Sequence, residues 1–300
     1  MTNRMRPLLV VCGAALLAAC AAQPHKPAPV SVAVAAPQPP TPVTAPLPAP
    51  PAPAPDVWAR LRGSFALDDC NADPRVQAWA RRFTANPSRL QDELRAALPL
   101  LTYVEEAAER AGVPGEFGLL PMIESSYDAA EPGHRSDPAG MWQIVPQTAR
   151  SLGLVMNRDY DGRLDPAAAT PAVMAMLKSY DEEFHDWRLA DMAFNAGEYR
   201  ILHLITAHRQ ASDALLRLPV SGVTRDHLAK LLSMSCIVRD PARFDVELPR
   251  PGDADRLALV TLQQAVDLAD AAQSAGIPLA RLRELNPGYR GEPRPDAAPF

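Results

Sequence analysis

From Asp56 onward, apolar residues recur every three to four positions, the period of an α-helix rather than the alternation of a strand. Val57, Trp58, Leu61 and Phe65 mark a first helical segment. Pro74 opens a second that runs through Phe83, and Pro87 a third that continues towards Ala111, proline being suited to the first turn of a helix. Pro114 and Gly115 restart the chain into a segment around Glu124. Further on, Thr170-Pro171 has the form of a cap followed by proline, and Val173, Met176, Leu177, Tyr180 and Phe184 make one apolar stripe, a spacing that belongs to a core rather than to a ligand site. Asp186 caps the next helix, which stops at Asn195-Ala196-Gly197, and another carries Tyr199 to Ala207. No strand pattern precedes Phe244. The pattern predicts a mainly helical protein with one core over residues 56–245.

The chain before this core reads differently. Arg4 and Arg6 give residues 1–20 a positive start, and Leu8 to Ala19 is an uncharged apolar run of twelve residues. That is a secretion signal, too short to span a bilayer comfortably. Its end, Leu17-Ala18-Ala19-Cys20, resembles the lipobox of bacterial lipoproteins. The resemblance implies that Cys20 is lipidated and becomes the first mature residue, and Ala21 after it implies the periplasmic face of a Gram-negative outer membrane. A plain cleaved signal with a chance cysteine is the other reading. Thirteen of the 33 prolines fall between Pro24 and Pro55, so residues 21–55 cannot bury a core and form a Pro/Ala tether. At about 3.1 Å per residue it reaches roughly 100 Å from the lipid.

Charge and cysteines narrow the picture further. A formal charge of −5 does not favour nucleic acid, which requires a basic surface. Cys12 leaves with the signal and Cys20 takes the lipid. Cys70 and Cys236 remain in an oxidising compartment, where they either pair, closing a loop of about 166 residues, or stay as two buried free thiols. No histidine motif stands near either to make it a nucleophile. His25, His185, His203 and His208 show no metal-ligand spacing, and no cofactor is expected.

The candidate chemistry centres on Phe117 to Gln143. On a helix, Glu124 lies four residues after Leu120 and seven after Phe117, so its carboxyl shares their apolar side. Held there, a carboxyl loses hydration and its acid form gains, as proton donation to a glycosidic oxygen requires. Alternatively, Glu124 ends the helix with its head in water. Asp128, Glu131 and Asp137 read as solvated loop charges.

Three motifs follow in order: Glu124-Ser125, then Gly140-Met141-Trp142-Gln143-Ile144-Val145-Pro146-Gln147-Thr148-Ala149-Arg150, then Phe194-Asn195-Ala196-Gly197. In this they resemble the soluble-type lytic transglycosylases, bacterial enzymes with a lysozyme-like helical fold. The resemblance runs from Asp56 to about Gly291 and includes Asp161-Gly162-Arg163. It implies cleavage of the β-1,4 bond between N-acetylmuramic acid and N-acetylglucosamine without water, with Glu124 first an acid and then a base, and peptidoglycan strands as the partner. It also implies that Ser125 hydrogen-bonds close to Glu124, or caps its helix. Gln143 and Asn195 would bind sugar through their amides, Trp142 would fill core or face the sugar, Gly197 would permit a turn, and Asp161 and Arg163 would fasten a loop.

Three departures from the family pattern matter. Phe194 stands where the family has tyrosine, and a second family tyrosine falls at His227, which is expected to replace the lost donor. The run His134-Arg135-Ser136-Asp137-Pro138-Ala139 replaces the family's serine and Gly-Ala, with one extra residue. Residues 246–300, through Ile277-Pro278-Leu279 and Leu285-Asn286-Pro287, resemble a degenerate LysM sugar-binding module lacking its glycine-aspartate opening; a packing appendage is the alternative. Two other functions stay open: a hydrolase on the same fold, as in goose-type lysozyme, and a non-catalytic peptidoglycan-binding scaffold.

Overall fold

The computed structural model describes residues 56–67, 70, 71, 73–131, 137–207, 218–252, 256, 257, 259, 260 and 267–290. The signal and tether, with Cys20, His25, His208 and the first half of the run from His134, lie outside them.

Helices α1 (Val57–Gly63), α2 (Pro74–Phe83) and α3 (Pro87–Ala111) each begin at a side-chain cap, Asp56, Asp73 and Asn86 accepting from Trp58 N, Arg75 N and Arg89 N. Phe65 falls outside α1, which ends at Gly63 with Ser64 as its cap. The longest of the three, α3, buries Leu90, Leu94, Leu98, Leu101, Val104 and Ala108, steps of three and four that keep one face towards the core. It stops at Gly112, whose φ of 66° suits the left-handed cap that glycine supplies without strain.

After a short 3-10 turn, Gly115–Leu119, comes α4 (Leu120–Ser125), and α5 (Pro146–Ser151) follows the Gln143 loop. Helix α6 spans Pro166–Phe184 rather than starting at Pro171. Asp165-Pro166 is the true cap and proline: the Asp165 carboxylate accepts from Ala167 N and Ala168 N, and Pro171 lies inside the helix. Thr170 is buried and takes a hydrogen bond from Trp142 instead. Next come α7 (Trp187–Ala196), capped by Asp186, and α8 (Glu198–Ala207). Helix α9 (Gly222–Arg239) is buried along most of its length and packs on α2, α7 and α4. One hydrophobic cluster runs from Val57 to Val246. Among the described residues there is no strand, only isolated bridges.

Cys70 and Cys236 are joined by a disulfide, with Cα atoms 5.6 Å apart. It ties the segment before α2 to α9. Beyond the core, α10 (Leu268–Ala275) and α11 (Leu279–Leu285) form a small helical pair. Its end returns to the loop before α6: Tyr289 packs at a tilt against Tyr160, and Arg290 bonds Asp161 at 2.8 Å.

Candidate active site

Helix α4 is short because its exit is fixed. Ser126 and Tyr127 both adopt left-handed φ, 54° and 65°, uncommon for residues with a side chain. Tyr127 is buried, its amide bonded to Pro121 O and its hydroxyl donating to Gly118 O. These bonds hold the tight exit and leave Glu124 one residue from the end of the helix. Phe117, four residues before Pro121, packs against Trp187 at the start of α7.

The Glu124 side chain is 17% exposed, neither sealed nor free. Where the sequence put only apolar residues beside it, the fold adds an imidazole: His227 Nε2 lies 2.7 Å from Glu124 Oε1. On the other side of the ring, Nδ1 stands 3.1 and 3.2 Å from the two carboxylate oxygens of Asp191, a residue with 0% exposure. Phe194 lies nearly parallel to the imidazole, ring centres 6.1 Å apart. Burial opposes a charge on His227, but the Asp191 and Glu124 carboxylates outweigh it and lift the pKa to about 10.

The loop between α4 and α5 lies beside the Glu124 helix. Ala139 and Ile144 exchange backbone hydrogen bonds, closing a turn in which Gly140 has φ 74° and Gln143 φ 47°. A Cβ on Gly140 would sit 1.9 Å from Arg163 O, so glycine is required there for space as well as for φ. Gln143 is half-buried and donates its amide to Gly140 O at 2.9 Å. Ser125 donates to Met141 O at 3.0 Å, joining the Glu124 helix to this loop rather than bonding the Glu124 carboxyl. Trp142 is wholly buried core.

Arg163 does more than fasten a surface. Its side chain and that of Asp161 are 3% and 4% exposed, bonded through Nε at 3.0 Å and Nη2 at 2.8 Å. Its Nη1 donates to Asp137 O and Ile144 O, bracing the Gln143 turn from beneath. Asn195 is exposed near the end of α7, and Gly197 after it has φ 93°.

Of the residues singled out by sequence, Glu124, His227 and Phe194 thus meet in one cluster. Hydrogen bonds among the described residues do not link Glu124 to Ser125, Gln143 or Asn195. Asp191 was missed by sequence reasoning. Its signal is a charge set among Leu189, Ala190, Met192 and Ala193, three residues before Phe194, which places it on that ring's side of the helix. Among the described residues no cluster could hold a metal, and no helix is long and apolar enough to cross a membrane.

Residues 102–216 match the family described as Transglycosylase SLT domain, and residues 256–298 match Lytic transglycosylase MltD, LysM-like domain. Over 240 residues the chain is 32% identical to Membrane-bound lytic murein transglycosylase D of Escherichia coli K12, an alignment covering 79% of this chain and 52% of that protein. The chain carries a transglycosylase SLT domain over residues 102–216. It spans about half the length of that relative. It is also similar to a putative tributyltin chloride resistance protein of Alteromonas, 30% identical over 147 residues, 48% of this chain and 70% of that one. The SLT match contains Glu124, Gln143, Asp191 and Asn195, whereas His227 lies beyond its end. The SLT domain is followed by the LysM-like segment that contains α10 and α11.

Proposed function

We propose that this chain is a peptidoglycan lytic transglycosylase with Glu124 as its acid and base. The observation that carries the reading is a partly exposed carboxyl, held by His227, in an SLT domain. Asp191, the carboxylate paired across His227, is wholly buried behind the imidazole. It cannot touch a sugar, so a two-carboxylate mechanism has no support from it.

In this reading Glu124 gives its proton to the oxygen bridging N-acetylmuramic acid and N-acetylglucosamine, and the electron pair of the C1–O bond leaves with that oxygen. The muramoyl 6-hydroxyl oxygen then bonds C1 and its proton passes to the Glu124 carboxylate. The acid is regenerated, no water is consumed, and the product is a 1,6-anhydro sugar. Phe194, Gln143, Asn195 and Ser125 line or support the glycan path, and His227 supplies a hydrogen bond to Glu124 in place of a tyrosine hydroxyl. The LysM-like segment adds contact with the strand. A lipid on Cys20 holds the protein at the periplasmic face of the outer membrane, with residues 21–55 as tether.

The test is the mass of muropeptides released from purified sacculi. The anhydro product is lighter by one water than the hydrolysed one. Hydrolysed ends would favour a muramidase on the same fold, and binding without release would favour a scaffold. Labelling with a fatty acid, abolished in Cys20→Ala, tests the anchor.

A further inference from the structure

Asp191 has no part in the chemistry above, yet it is charged, wholly buried and held against His227. A carboxylate in such a place destabilises the fold unless it is paired. Its partner ring is unusual in having a carboxylate at each nitrogen, Asp191 at Nδ1 and Glu124 at Nε2. A neutral imidazole has one N–H; two facing carboxylates call for two, the imidazolium form. A lone imidazolium would set a net positive charge against the group that must give the proton. Asp191 cancels that charge, so Glu124 faces a pair that is close to neutral while Nε2–H still binds Oε1.

We propose that Asp191 is a positioning residue for the transglycosylase reaction: paired with His227, it fixes Glu124 Oε1 by a hydrogen bond and leaves Oε2 to give and recover the sugar's proton. This rests on the role of Glu124 proposed above. Among the described residues, the other charges near α9 have partners of their own. Arg75 of α2 faces Asp226 at 3.8 Å, Lys230 lies over Trp79, and Arg225 donates to Leu218 O. Glu116 takes the amides of Ala66 and Leu67, Arg62 of α1 donates to Val238 O, and Arg239 donates to Leu67 O. Phe194 covers one face of the ring.

The experiment follows the His227 ring by nitrogen NMR from about pH 5 to 9 in the full chain, in wild type, Asp191→Asn and Asp191→Glu, alongside muropeptide release. In wild type both ring nitrogens stay protonated throughout; in Asp191→Asn the ring titrates within the range, and Asp191→Glu restores the wild-type form. Turnover of Asp191→Asn falls about 10–100-fold with KM little changed, as expected for a misplaced reacting group. His227→Gln with Asp191→Asn is no slower than His227→Gln alone, because Asp191 acts only through the ring. Coincident ring titrations in wild type and Asp191→Asn, with anhydro product still formed by wild type, would overturn the pair alone. No anhydro product from wild type would overturn the underlying reading and the positioning role with it.

Discussion

Replacing Arg163 with alanine removes the bonds that brace the Gln143 turn. The side chain makes two hydrogen bonds to Asp161 and two to the carbonyls of Asp137 and Ile144, and both members of the ion pair are almost fully buried. Breaking a buried pair from one side typically costs about 3–5 kcal/mol. Arg290 still reaches Asp161 at 2.8 Å, which argues for the lower end, about 3 kcal/mol. For a domain of this size that corresponds to a fall in Tm of about 6–12 °C. Lysine at 163 keeps the charge without the two-pronged geometry and should recover only part of the loss. Calorimetry of wild type, Arg163→Ala and Arg163→Lys reads these values. Burial works to raise the Asp161 pKa, but the hydrogen bonds and charge of Arg163, with Arg290, hold it below its ordinary 3.8. A depressed carboxylate pKa stabilises the fold above 3.8 and loses that contribution as pH falls through the folded value. The gap between wild type and Arg163→Ala should therefore narrow in acid. A Tm change under about 2 °C at neutral pH would refute the claim that Arg163 braces this turn.

Three further outcomes are expected. Reducing the bond between Cys70 and Cys236, or replacing both by serine, should cost up to about 5 kcal/mol from the chain entropy of a 166-residue loop, seen as a lower midpoint in urea. Gly140→Ala, with its Cβ 1.9 Å from a backbone oxygen, should lose stability well beyond Gly153→Ala, where φ is 73° but nothing lies within 4 Å; the latter carries only the left-handed cost, about 1–2 kcal/mol. Because the His227 pKa rises from 6.5 to about 10, its contribution is full below pH 6.5 and lost as pH climbs through 10. Thermal stability should fall across that alkaline window in wild type and less so in His227→Gln.

The helices were legible because caps and prolines are local signals: Pro74, Pro87 and Asp186 each announced a start that the fold uses. The same logic misplaced α6, since Thr170-Pro171 and Asp165-Pro166 look alike in sequence and only the second has free amides to cap. Glu124 was singled out through motif order, and His227 as the position of a family tyrosine. What joins them was not, because a sequence separation of 103 leaves no periodic trace of contact. Asp191 was hidden for a related reason: a single charge in an apolar run has meaning only once the partner across the interface is known. Arg163 read only as a loop fastening because sequence gives its charge and not its burial.

The central claim is that the Glu124 carboxyl moves the proton in both halves of the reaction. Glu124→Gln preserves shape and hydrogen bonding but cannot give and recover a proton, and general acid–base groups contribute about 10²–10⁴-fold. Release of anhydro-muropeptides from sacculi, followed by mass spectrometry beside a sedimentation assay for sacculus binding, should fall by about 10³-fold in Glu124→Gln with binding retained. Anhydro-product release by Glu124→Gln at the wild-type rate would contradict the account.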